Sequence, residues 1–149
     1  MVKTVTAFNQ FWAVSHAVSK ETDSFLKKTA GLSAGKYSLL MVLYFNGGTM
    51  SSAKLAQGTG TRPHNITALV KSLKKAGLVT GEKGTQDTRF TFISLTDKSR
   101  KLMEDSLPAA REHATGVLSC ITANEQAELY RLMDVIGKNL KTKKPQPVE

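Results

Sequence analysis

The stretch that decides the fold reads Leu55-Ala-Gln-Gly-Thr-Gly-Thr-Arg-Pro-His-Asn-Ile-Thr-Ala-Leu-Val-Lys-Ser-Leu-Lys-Lys-Ala-Gly-Leu-Val79. Its turn, Gly58-Thr-Gly60, separates two short helices, which we predict at about Ser52–Gln57 and Arg62–Ala76. Gly77 follows the second helix where a left-handed glycine commonly ends a helix. Within that helix, apolar residues recur at i, i+3, i+4 and i+7, which is the spacing of one buried face. They are Ile66, Leu69, Val70 and Leu73.

The opposite face of the second helix carries no acidic residue. It combines cations with small side chains and hydrogen-bonding groups, the residue types that contact phosphates and base edges in DNA. The alternative is an exposed polar face without a partner. The elements that precede and follow this helix distinguish the two interpretations. With two residues of the preceding helix included, the candidates are Ser52, Lys54, Arg62, His64, Asn65, Thr67, Ala68, Lys71, Lys74 and Lys75.

After residue 77 the apolar pattern changes to that of short strands. Leu78 and Val79 predict one strand, and Phe90–Leu95 predicts a second. The segment between them, Gly81–Thr88, is polar and rich in turn residues, as a hairpin loop should be. A helix, a tight turn, a second helix and a hairpin, in this order, are typical of a winged helix-turn-helix.

Two helices precede this segment. The first has an apolar face over residues 5–26 and ends near Gly31. The second begins after Ser33, a predicted N-cap, and ends at Gly47-Gly48.

Two more helices follow the hairpin. Thr96 caps the fifth helix, in which we expect a kink at Pro108. Thr122-Ala-Asn-Glu125 has the capping-box spacing at the start of the sixth, which has an apolar stripe over residues 129–140. The predicted fold is mainly α, with a small β-hairpin wing and with helices on both sides of the winged helix-turn-helix.

The net charge of +9 is unevenly distributed along the 149 residues. Residues 51–101 carry +7, residues 1–50 carry +3, and residues 102–149 carry −1. A local excess of cations is the electrostatic signature of a protein that binds a polyanion, although a solvated surface gives the same count.

Several classes of protein are disfavoured. Cys120 is the only cysteine, which excludes an intrachain disulfide and a multi-cysteine zinc site. We identify no metal or nucleotide motif and expect no cofactor. Gly31-Leu-Ser-Ala-Gly35 matches the nucleophile-elbow pattern, but that pattern requires a strand before the serine, and here a helix precedes it, so we expect no enzyme. The longest apolar run, Leu39–Phe45, is too short to cross a bilayer, and residues 1–16 do not resemble a signal peptide.

The segment from Leu55 to Val79 resembles the helix-turn-helix of the MarR family of transcriptional regulators. The predicted wing, Gln86–Thr96, keeps that family's Asp-x-Arg pair at Asp87 and Arg89 and its Leu-Thr exit at Leu95 and Thr96. The resemblance extends over nearly the whole chain, because helices before and after the DNA-reading part are also the family's arrangement.

The resemblance implies a homodimer in which the first, fifth and sixth helices interlock. The wide apolar faces over residues 5–26 and 129–140 agree with this, since a small core does not need them. The resemblance also implies that the second helix of the motif enters the major groove and that Arg89 enters the minor groove, oriented by Asp87. Lys83 joins them as a wing candidate for DNA binding; a simple turn-stabilising pair is the alternative for Asp87 and Arg89.

We therefore expect a sequence-specific regulator that binds double-stranded DNA as a homodimer and acts as a ligand-responsive repressor on a pseudo-palindromic operator. The alternative is a winged-helix module that binds protein or RNA. A single domain over 1–149 would comprise a DNA-binding part, 32–96, dimerisation parts, 1–31 and 97–141, and a disordered tail, 142–149. The expected location is the cytoplasm of a bacterial or archaeal cell, at the nucleoid and not in a membrane.

By the same resemblance, a small aromatic or apolar effector would bind between the dimerisation helices and the DNA-reading part. Candidate residues on the first two helices combine apolar bodies with polar tips, as ligand pockets do. Simple core packing is the alternative for them. The candidates are Trp12, His16, Tyr37, Met41 and Tyr44. We expect Cys120 to be a buried packing residue, not a redox sensor.

Overall fold

The computed structural model describes residues 2–86 and 91–142 and confirms a mainly α fold with a small antiparallel sheet. The chain forms two compact units, one up to Arg111 and one from Glu112 onward. In chain order the elements are α1 (Val2–Ala30), α2 (Ala34–Phe45), β1 (Thr49–Ser51), α3 (Ser52–Thr59), α4 (Pro63–Lys75), β2 (Val79–Lys83), β3 (Thr91–Leu95), α5 (Asp97–Leu118) and α6 (Ala123–Thr142).

The junction between α1 and α2 depends on an aspartate that the sequence pattern did not reveal. Ser33 occupies the predicted N-cap position, but its side chain makes no capping hydrogen bond. Instead, the backbone N–H of Ala34 donates to Oδ1 of Asp23, 2.8 Å away, and Lys27 pairs with the other carboxylate oxygen at 2.6 Å. The carboxylate of α1 thus satisfies an N–H in the first turn of α2, where a negative charge is favourable.

Helices α3 and α4 form the predicted helix-turn-helix. Helix α3 continues through Gly58 to Thr59, two residues beyond the prediction, and only Gly60 forms the turn, with a φ of +64° in the left-handed conformation that glycine adopts readily. Helix α4 begins at Pro63, one residue later than predicted, because a proline disfavours helical backbone at the residue before it. Arg62 is accordingly extended, with φ −64° and ψ 144°. Gly77, at φ +70°, follows the C-terminal end of α4, as predicted.

The predicted hairpin is part of a three-stranded antiparallel sheet in the order β1-β3-β2. In its register, Val79 faces Leu95, and Met50 of β1 faces Ile93. Strand β1 was not predicted. The prediction of a loop from Gly81 was also wrong, since β2 continues to Lys83 through pairing with β3. The end of the predicted loop and Phe90 lie outside the described residues.

The core lies where α2, α3, α4 and the sheet meet the first half of α5. Ile66, Val70 and Leu73 of α4 are buried there as predicted, while Leu69 is half-buried beside Gly35 of α2. The largest fully buried side chains are Leu39, Leu40, Leu43, Leu55, Leu73, Ile93 and Met103.

Helices α5 and α6 begin at the predicted caps. The N–H of Ser99 donates to Oγ1 of Thr96 at the start of α5, and the helix is continuous through Pro108. At α6 the N–H of Thr122 donates to Glu125 over 2.7 Å, and the N–H of Glu125 donates to Oγ1 of Thr122 over 3.4 Å. These two bonds are the predicted capping box. No helix of the described residues is both long enough and apolar enough to cross a membrane.

Candidate nucleic-acid interface

Helix α4 presents a continuous exposed face. His64, Ala68, Lys71 and Lys75 follow one another at steps of four, three and four residues, so they form one stripe along the helix. Arg62, Asn65, Thr67 and Lys74 are exposed beside this stripe. The helix contains no carboxylate between Pro63 and Lys75. The surface can therefore approach phosphates without electrostatic repulsion, and it offers amide, imidazole and hydroxyl groups to base edges.

Two hydroxyl groups among the candidates have internal partners. Oγ1 of Thr67 donates to the carbonyl of Pro63 over 3.2 Å and keeps its capacity to accept. Oγ of Ser52 donates to the carbonyl of Thr91 over 3.2 Å, which connects the start of α3 to β3. Lys54 is exposed on α3, and its backbone N–H donates to the N-cap Ser51.

Helix α4, the start of α3 and strand β3 line a groove of about 520 Å³. Its apolar lining includes Ile66, Val70 and Ile93, and Lys71 and Lys74 also line it. The ammonium of Lys74 lies directly against Gly81 of β2, where any side chain on residue 81 would displace it. Lys74 therefore contacts the wing, while Lys71 and Lys75 are the cations of the exposed stripe.

The wing is described only in part. Lys83 is exposed at the end of β2. Asp87 and Arg89, predicted to act together in the minor groove, lie outside the described residues.

The five effector candidates differ widely in exposure. Tyr37 is 3% exposed, and its hydroxyl lies 3.0 Å from that of Ser106. Trp12 is 68% exposed and is paired with Phe8 at a ring distance of 6.4 Å, and His16 is exposed on the same helix. Met41 is exposed, and the half-buried Tyr44 contacts Phe45 edge to face. Neither the groove beside α4 nor a cavity of about 360 Å³ beside Ala30 and Leu102 is lined by any of the five.

The remaining candidate sites are a metal cluster, a nucleophilic serine at Ser33 and the cysteine Cys120. No group of three or more potential metal ligands occurs among residues 2–86 and 91–142. Ser33 follows a helix, not a strand, so the nucleophile-elbow geometry is not formed there. Cys120 is exposed, which corrects the expectation of a buried residue. It lies in the short turn between α5 and α6, where little chain is available to cover it.

Comparison with known proteins places this geometry in a wider context. A sequence model of the MarR family matches residues 30–89. The chain is 27% identical over 125 residues to the HTH-type transcriptional regulator YwaE of Bacillus subtilis, covering 84% of this chain and 71% of that one. It is also 27% identical over 109 residues to the HTH-type transcriptional repressor Rv2887 of Mycobacterium tuberculosis, covering 73% and 78%.

Among solved structures, the fold is similar to that of Sco3205, a MarR family transcriptional regulator from Streptomyces coelicolor, determined in complex with DNA. The TM-score is 0.91 at 20% identity, with 99% of this chain and 97% of the other covered. The likeness in fold thus extends over the helices on both sides of the sheet.

Proposed function

We propose that the chain is a MarR-family transcriptional regulator that binds double-stranded DNA sequence-specifically as a homodimer. The exposed face of α4 carries this proposal. Its cations provide attraction to phosphates that does not depend on sequence, and Asn65, Thr67 and His64 provide groups that distinguish bases. A winged helix that binds protein or RNA was the alternative, and nothing in the geometry of α4 favours it.

Dimerisation is supported by the apolar surface of the terminal helices. In α1, Val5, Phe8 and Trp12 are between 54% and 68% exposed, and in α6, Tyr130 and Leu140 are 76% and 65% exposed. Side chains of this size in water are unfavourable, and a second copy would cover them. We assign residues 1–31 and 97–141 to dimerisation and 32–96 to DNA binding.

A dimer with twofold symmetry reads a pseudo-palindromic operator whose half-sites lie about one helical turn apart. We propose that operator binding represses transcription, as the name of the mycobacterial relative states for that protein. We further propose that Arg89 enters the minor groove with Asp87 as its hydrogen-bonding partner, and that the protein acts in the cytoplasm on the nucleoid.

We propose that a small aromatic or apolar effector releases the DNA. The exposed Trp12, with His16 one turn away, offers an apolar surface with a polar tip on α1. Release requires the effector to prefer an arrangement of the DNA-reading parts that DNA does not. A thermal-shift screen of aromatic acids and phenols, followed by gel shift with the hits, tests this. Hits that leave DNA affinity unchanged contradict it.

The decisive experiment is selection of bound duplexes from a random pool, followed by gel shifts over a range of salt concentrations. Each phosphate contact contributes about −0.9 to the slope of log affinity against log salt, so several contacts per dimer give a slope steeper than about −4. Single-stranded RNA is the competitor. Enrichment of one palindromic motif supports the proposal, while a flat salt dependence or preferential binding of the RNA overturns it.

A further inference from the structure

The C-terminal end of α4 is hydrogen-bonded to the beginning of α5. Nζ of Lys98 donates to the carbonyl of Ala76 over 2.8 Å, and Oγ1 of Thr96 donates to the carbonyl of Gly77, also over 2.8 Å. The backbone N–H of Thr96 lies 3.3 Å from the carbonyl of Leu78. Thr96 and Lys98, at the start of α5, thus donate to three carbonyls at and just beyond the C-terminal end of α4. The ammonium of Lys98 also complements the partial negative charge there.

Thr96 is itself rigidly held. Its N–H lies 3.0 Å from Oγ of Ser99, and the N–H of Ser99 lies 3.3 Å from Oγ1 of Thr96. Ser99 is fully buried, so the pair is fixed to the first turn of α5. At the other end of α4, Arg62 makes no side-chain capping bond. Among residues 2–86 and 91–142, the hydrogen bonds that attach α4 to another helix are therefore at its C-terminal end, and its buried face packs through apolar side chains.

We propose that Thr96 and Lys98 are positioning residues that fix the orientation of α4 relative to α5. This inference rests on the proposed function, because α5 belongs to the dimerisation part and α4 reads the DNA. A fixed angle between them sets the distance between the two α4 helices of a dimer. Thr96 and Lys98 would thereby determine which spacing of half-sites the protein accepts, although neither residue contacts a base.

The test compares binding to duplexes with altered spacing. The probes are the palindromic duplex selected by the wild-type protein and versions with one base pair inserted or deleted at its centre. One base pair displaces a half-site by about 3.4 Å and rotates it by roughly 35°. We expect that change to weaken wild-type binding by about tenfold or more, the order of one lost base contact.

Lys98→Met removes the donor and keeps the length of the side chain. We expect its penalty for altered spacing to fall to about threefold or less, with unchanged affinity for an isolated half-site. Lys98→Arg keeps a cationic donor and should restore the wild-type penalty. Lys101→Met is the matched control, because Lys101 is exposed on the same helix and pairs with Asp105 at 3.2 Å, not with α4.

A purely structural role of Lys98 would lower the melting temperature without changing the preference for spacing. Equal spacing penalties in Lys98→Met and Lys101→Met would therefore overturn the inference. Failure of the proposed function is distinguishable, because the wild-type protein would then select no duplex and the inference would fall with it.

Discussion

The hydroxyl of Tyr37 in α2 lies 3.0 Å from the hydroxyl of Ser106 in α5, and both side chains are buried. Ser106 donates its proton to the carbonyl of Leu102 over 2.6 Å, so Tyr37 is the donor to Ser106. This relay of two hydroxyl groups connects α2 to α5, and neither buried hydroxyl lacks a partner. The polar tip of Tyr37, an effector candidate, is therefore already used inside the protein.

Tyr37→Phe should destabilise the protein by about 1 kcal/mol, the net contribution of an internal hydrogen bond. Ser106→Ala should cost about 1–3 kcal/mol, because it leaves a buried phenol hydroxyl without its acceptor. Urea unfolding of both variants and of the double variant gives the coupling energy. Additive effects within about 0.3 kcal/mol would contradict a direct bond.

Gly58 permits the close approach of α3 to α2. A Cβ at this position would lie 2.8 Å from Cγ1 of Val42, a β-branched side chain with little freedom to move. Gly58→Ala should therefore destabilise by about 1–3 kcal/mol, although alanine favours a helix. Val42→Ala should rescue much of the loss. In Gly116→Ala, the control in α5, the new Cβ meets no atom within 4 Å, and the change should be neutral or stabilising.

Different residues on the exposed face of α4 should determine the sequence preference and the general affinity for DNA. Lys75→Ala should weaken binding to all duplexes alike and reduce the salt slope by about one per half-site. Asn65→Ala should change which sequence is selected, because base contacts carry the information. Lys101→Ala is the control for loss of charge. Gel shifts against the selected duplex and a scrambled one separate these effects, and unchanged selection by Asn65→Ala would remove that residue from base recognition.

Trp12 should be part of the dimer interface. Trp12→Gln should increase the fraction of monomer at micromolar concentration, measured by light scattering after size-exclusion chromatography, because a second copy that covers the apolar face of α1 would bury this exposed indole. Phe45→Gln is the matched control. Phe45 is 59% exposed at the end of α2, outside the apolar face of α1. A dimer of unchanged stability in Trp12→Gln would contradict the assignment.

Asp23 should make the junction of α1 and α2 sensitive to acid. The bond from Lys27 and then that from the N–H of Ala34 hold the pKa of this carboxyl below its usual 3.8. A carboxyl with a lowered pKa stabilises the fold above its unfolded-state pKa and loses that contribution as the pH falls through the folded-state value. Asp23→Asn should therefore lower Tm at pH 7, and the difference should shrink below about pH 4. Asp105→Asn, which disrupts only a surface ion pair, should change Tm little at either pH.

The parts of the fold that sequence predicted are those with local signals. The glycines at 60 and 77, the capping box at Thr122 and the apolar spacing of α4 each depend on residues within a few positions of one another. Strand β1 has three residues, too few for an alternating pattern, and it is a strand because Met50 pairs with Ile93 far along the chain. The polar end of β2, Gly81–Lys83, has the composition of a loop, and it is a strand because it pairs with β3.

In the candidate site, too, local sequence patterns were predictive and contacts between distant residues were not. The exposed cations of α4 could be predicted because helical spacing alone fixes which face they share. The contacts of Lys98 with Ala76 and of Asp23 with Ala34 could not, since they connect residues 22 and 11 positions apart through the tertiary fold. The exposure of Cys120 was likewise a property of the turn in which it lies, not of the residue type.

In the strand order β1-β3-β2, the most apolar strand, β3, lies in the centre of the sheet. The two edge strands, β1 and β2, are poorly suited to pair with a strand of another molecule. Strand β1 is only three residues long, and the outer strand carries Gly81, Glu82 and Lys83. Edge strands that are short or charged resist the addition of a strand from another molecule. During concentration or storage, self-association of this protein should therefore start from the helices and proceed without growth of cross-β structure, giving aggregates that do not bind thioflavin.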